Sequence, residues 1–157
     1  MERRHFVQSA FGTCFIGLAG CTGSSDSEGS NDSGGVMEET VYEGSKTPEI
    51  NEDYYSYYEF SFDEPTTLEY TANVTDGPNI DVILTDSTNF RYYEDGSEWK
   101  YVSEGSDLDT SYADVEVDLD ENDWVLILDN TDKGSATPPA DMENNRVSVE
   151  LEYEAYR

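Results

Sequence analysis

Asp123-Trp124-Val125-Leu126-Ile127-Leu128-Asp129 is an unbroken apolar run bracketed by acids. Such a run reads as a central strand buried on both faces. The chain on either side of it alternates instead. Val115, Val117 and Leu119 interleave with Glu116 and Asp118, and Arg146-Val147-Ser148-Val149-Glu150-Leu151-Glu152-Tyr153 repeats the pattern. Further back, Tyr58, Phe60 and Phe62 fall on one face, with Glu59, Ser61 and Asp63 on the other. Leu68-Glu69-Tyr70-Thr71-Ala72-Asn73-Val74 alternates too, and Ile80-Asp81-Val82-Ile83-Leu84 follows an Asp76-Gly77-Pro78-Asn79 turn. Phe90–Tyr93 and Trp99–Val102 flank Glu94-Asp95-Gly96-Ser97, whose Asp-Gly pair predicts a hairpin. No stretch shows a helical period. About eight short strands predict an all-β fold, a single antiparallel, jelly-roll-like β-sandwich over residues 52–157. An up-and-down barrel is the rival.

Three segments carry a resemblance: Tyr58–Phe62 with Leu68-Glu69-Tyr70; Asp76–Val82; and Trp124–Leu128 with Asp129-Asn130-Thr131. Together they resemble small jelly-roll sandwiches of twin-arginine-exported haloarchaeal lipoproteins. Those are similar to bacterial pre-peptidase C-terminal domains and to GOLD-type sandwiches. The resemblance spans residues 50–157. It implies a surface-exposed accessory or interaction module, and it assigns no functional residue.

The first residues read as an address. Met1-Glu2-Arg3-Arg4-His5-Phe6 opens with paired arginines, a mildly apolar stretch follows, and Leu18-Ala19-Gly20-Cys21 closes it. A basic head, a short apolar segment and small residues before a cut describe an export signal. Arg3 and Arg4 resemble the twin-arginine signal, and Leu18–Cys21 resembles a lipobox, with Cys21 the site of lipid attachment. The apolar stretch falls short of the roughly 20 residues that a spanning helix needs. Residues 1–20 are therefore expected to be a signal peptide, and 21–51 a lipidated cysteine and flexible Ser/Gly/Asp linker. Cys14 would leave with the signal, so no thiol remains for a disulfide, metal or redox reaction.

Composition sets the solvent. Thirty-six acids stand against eight bases, for a net charge of −28. Such self-repulsion loosens a compact state in dilute buffer. At about 1 M salt the Debye length falls to roughly 3 Å, which screens it. The chain is thus expected to be halophilic. Its 13% aromatic content argues against an acidic disordered chain. Nucleic acid is excluded as a partner by the lack of basic patches.

Chemistry is sparse. His5 is the only histidine and lies in the signal, so Ser-His and Cys-His nucleophile pairs are excluded from the mature chain. Asp118-Leu119-Asp120-Glu121-Asn122-Asp123, with Asp129 in twelfth place, has the oxygen spacing of a calcium loop, but Asp123 stands where the turn glycine belongs. A polar turn between strands is the better reading, and neither metal nor cofactor is expected. Asn31 and Asn73 head glycosylation sequons. Among Tyr54, Tyr55, Tyr57 and Tyr58, the candidate binding surface is Tyr55 and Tyr57. These two are expected on different faces, hence no single flat platform.

The function expected is a lipid-anchored, non-catalytic binding or envelope-structural module on the outer face of the membrane. The expected partners are the membrane itself, through Cys21, and a glycan or envelope protein. Two alternatives are an accessory ligand- or cation-binding subunit of a membrane complex, and a carboxylate-based hydrolase.

Overall fold

The computed structural model describes residues 38–136 and 145–157. Period-two patterning becomes nine strands among these residues. They are β1 (Thr40–Lys46), β2 (Glu49–Ile50), β3 (Tyr54–Phe62), β4 (Thr66–Asp76), β5 (Ile80–Asp86), β6 (Asp107–Thr110), β7 (Tyr112–Leu119), β8 (Asn122–Asn130) and β9 (Val147–Tyr156). One helix, α1 (Ser87–Asp95), follows β5. All strand pairs are antiparallel. The first sheet runs β1-β9-β4-β7 with β2 also on β9; the second runs β3-β8-β5-β6. The fold is an all-β sandwich of two sheets, not a closed barrel.

The alternating faces meet between the sheets. Tyr58, Phe60 and Phe62 of β3, Ile80, Val82 and Leu84 of β5, and Leu126 and Leu128 of β8 pack against Leu68 and Tyr70 of β4 and Val147, Val149 and Leu151 of β9. Each such side chain, fully buried, stabilises the fold by about 1.5–3 kcal/mol. The apolar run in β8 is covered on both sides, as its sequence requires. Leu126 and Leu128 face the sandwich interior, while Val125 and Ile127 lie under α1 with Ile83, Phe90 and Tyr93.

The helix replaces the expected hairpin around residues 90–102. Asp86 caps it, accepting from the backbone N–H groups of Thr88 and Asn89 at 2.8 Å each. Phe90 and Tyr93, three apart, bury against the sheet. Gly96 ends the helix at φ 70°, and Ser97 N–H donates to the Tyr92 carbonyl at 2.9 Å. The Asp95-Gly96 pair is a helix C-terminal signal here, not a hairpin turn, since both need glycine at positive φ.

The folded region also begins earlier than expected. Strands β1 and β2 lie inside residues 21–51, the stretch read as linker. Thr40–Lys46 pairs along β9, and Ile50 is buried in the core. Gly44 accounts for the missed signal: the Tyr153 ring crosses it, where any Cβ would collide. A small residue thus marks a packing position. The sequence Asp118–Asp123 forms the β7–β8 turn, with Trp124 Nε1 donating to the Asp120 carbonyl at 3.0 Å. Asp129 lies on the same strand, six residues beyond Asp123 and about 20 Å away, so the twelve-position ligand set is not assembled.

Candidate functional site

Arg3, Arg4, Cys21 and Asn31 lie outside the described residues. Asn73 sits near the end of β4 on the outward face of the first sheet, opposite Glu150.

Tyr55 and Tyr57 share one face, contrary to the expectation that they diverge. Positions two apart in a strand point the same way. Their ring centroids are 6.3 Å apart, on the outer side of the second sheet. They do not form a free platform, because α1 covers them. Tyr55 meets Tyr93 edge-on at 5.1 Å, and Tyr57 lies 4.7 Å from Phe90. The Tyr55 hydroxyl donates to Glu94 at 3.0 Å, and burial followed by the Glu94 charge pushes its ionisation up.

Beneath the C-terminal end of α1 lies a polar centre. Asp81 and Asp129 are partners across β5 and β8, and neither is exposed to solvent. The Asp81 carboxylate accepts the backbone N–H of Asp109 at 2.7 Å, of Ser135 at 2.6 Å and of Ala136 at 3.0 Å. It thereby fastens the β6 strand and the 131–136 loop to β5. Gly134 permits this wrap, since a Cβ there would strike Asp81 Oδ2. Asp129 Oδ1 accepts from Thr131 N–H at 2.9 Å, whereas its Oδ2 and the Tyr93 hydroxyl interact without completing a well-aligned bond. Burial pushes the Asp129 carboxyl up to about 6; contacts from Thr131 and Tyr93 hold it down, and Asp81 adds upward pressure.

Lys133 brings the positive charge. Its Nζ donates to the Tyr93 carbonyl at 2.8 Å and stands 4.2 Å from the Tyr93 ring centre. An ammonium at a helix C-terminus meets the negative end of the dipole, and α1 has no basic residue in its own last turn. These contacts fasten the end of α1, the β6 strand and the 131–136 loop to the second sheet. The signal that could have found Asp81 is an acid set inside the apolar strand Ile80–Leu84.

Two surfaces flank this scaffold with opposite character. After α1 the chain returns along the helix, where Trp99 meets Tyr93 edge-on at 5.2 Å and Tyr101 lies 5.8 Å from Trp99. Tyr92 and Tyr101 remain 46% and 43% exposed. On the far side, the first sheet presents Glu43, Glu154, Glu69 and Glu116 in one cross-strand row over β1, β9, β4 and β7. They line a shallow depression of about 640 Å³. A hydrogen bond shared with Glu69, and then its charge, push the Glu116 carboxyl above its ordinary range. Among the described residues, no three His, Cys, Asp or Glu side chains gather as a metal site.

Neither a family model nor a curated protein matches the chain.

Proposed function

We propose that this chain is a lipid-anchored, non-catalytic binding module on the outer face of the cell membrane of a halophile. The Arg3-Arg4 pair and the Leu18–Cys21 lipobox pattern motivate export and anchoring. The supporting structural observation is the way the chain enters the sandwich. Glu39 and Arg157 exchange backbone hydrogen bonds at 2.8 and 3.1 Å, so the N-terminal segment joins the domain beside its C-terminus. Residues 22–37, between the lipobox and the domain, would serve as the leash. It would attach at that end and leave the α1 side to a partner. A mature chain without histidine, and with its one thiol given to lipid, suits recognition rather than nucleophilic catalysis.

Cys21→Ala tests the reading. The variant is expected in the medium while the native protein stays with membranes; retention of the variant in the membrane fraction would contradict it.

A further inference from the structure

We propose that the outer edge of β3, at Tyr57–Ser61, is a self-association site where a second copy of this chain adds its own β3, antiparallel, to make one continuous sheet. β3 ends the second sheet and pairs with β8 alone, in a register unbroken from Tyr54 to Phe62. The direction of its backbone groups is fixed at both ends. The Ser61 carbonyl accepts the Tyr42 hydroxyl of β1 at 3.3 Å, so it points away from β8. At the start, Asp53 stands at φ 64° and its N–H donates to the Asn130 carbonyl at 3.0 Å, while Asn130 is the partner of Tyr54. That is a bulge, with Tyr54 directed at β8. Alternation from either end turns the backbone N–H and C=O of Tyr57, Glu59 and Ser61 outward. Among the described residues, the Tyr42 hydroxyl is the one partner these three have on that side. Such a row is a template for an added strand.

Charge names the occupant. Two chains of net charge −28 repel wherever acids meet acids, so a copy is admitted only where acids are scarce. β3 carries a single charge, Glu59, in nine residues. The other three edges are guarded in the ways that discourage pairing. β7 carries Asp114, Glu116 and Asp118. β6 is four residues long, holds two aspartates, one of them at φ 52°, and slips register against β5. β1 slips register between Thr40 and Tyr42 and carries Glu43 and Lys46. A two-fold axis at Tyr58 sets Tyr58 against its counterpart and Glu59 against the copy's Tyr57, so no acid of β3 stands opposite an acid. A basic peptide would find only one carboxylate along this strand. Each chain has one such edge, and the contact is isologous, so assembly closes at a dimer.

The test is sedimentation velocity of the detergent-extracted full-length protein, with micelles in excess, at about 1 M KCl, where long-range repulsion is screened. A dimer is expected. Glu59→Pro and, separately, Ser61→Pro remove an outward N–H and leave the β8 ladder intact, a place where an edge strand tolerates proline. Each should keep the native circular dichroism spectrum and weaken association at least tenfold, while Tyr101→Ala, on the α1 side, should change nothing. A monomer at this salt overturns the site, and so does a strand that only a different protein supplies, since the pure chain would then stay monomeric. A dimer indifferent to both prolines, as two chains sharing a micelle would give, overturns it as well. So do assembly beyond two chains, dissociation by Tyr101→Ala, and loss of the folded spectrum in both proline variants, which would place those N–H groups in the β8 ladder.

Discussion

Asp81 and Asp129 stand opposite one another on neighbouring strands, both wholly buried, yet only Asp81 has bonds to both of its oxygens. Asp129 ionises near 6 in the folded chain because of burial, against about 3.9 when unfolded. A carboxyl raised in the fold stabilises fully below its unfolded value and loses that contribution as pH rises through its folded one. Between about pH 4 and pH 7 this loss amounts to about 3 kcal/mol. Asp129→Asn removes it and can turn an amide donor toward the Tyr93 hydroxyl. Urea unfolding of both proteins over this range should show the variant gaining on the native chain as pH rises; parallel profiles would refute the assignment.

Gly134 and Gly96 are glycines for different reasons. Gly96 needs only its left-handed conformation and has open space around it. Gly96→Ala should cost about 1 kcal/mol. Gly134→Ala forces the loop off Asp81 and leaves a buried carboxylate short of donors, a loss of about 3–5 kcal/mol. Thermal melts at fixed salt should rank the two in that order.

The glutamate row makes a salt-dependent prediction. Glu69 faces Glu116 on one side and Glu154 on the other, and accepts from the Tyr156 hydroxyl at 3.0 Å. Glu69→Gln keeps that acceptor and removes the like-charge contacts. The variant should be more stable than the native protein by about 1 kcal/mol in dilute buffer, and the gain should vanish near 1 M KCl as screening sets in. A gain independent of salt would show that repulsion is not its source.

Truncation tests the domain limit. A chain beginning at Glu38 should melt like the full protein. One beginning at Glu52 loses the β1 and β2 pairing with β9 and the buried Ile50, and should melt many degrees lower or aggregate through the bared edge of β9. Equal melting of the two would show that β1 adds nothing to stability.

What could be read from the sequence follows from how locally each feature is encoded. The run Trp124–Leu128 is long and uninterrupted, and the alternation in 58–62, 68–74 and 147–153 is clean, so the sandwich was legible. The helix was not: nine residues with only Phe90 and Tyr93 buried carry too little periodicity, and the αL glycine that ends it also suits a hairpin. Strand β1 was hidden because Glu43, Gly44 and Ser45 look like more of the polar tract before them, and their pairing with β9 is a contact across more than a hundred residues. The tyrosine pair was located, but its cover was not, since α1 reaches it through tertiary packing. Asp81 and Asp129 look like ordinary surface acids until the 131–136 loop folds over one and α1 over the other.

Intact-mass measurement of the protein extracted from membranes tests the central proposal most directly. A chain starting at Cys21, heavier than its amino acids by the mass of a lipid, is predicted. An unmodified chain that still carries Met1–Gly20 would contradict it.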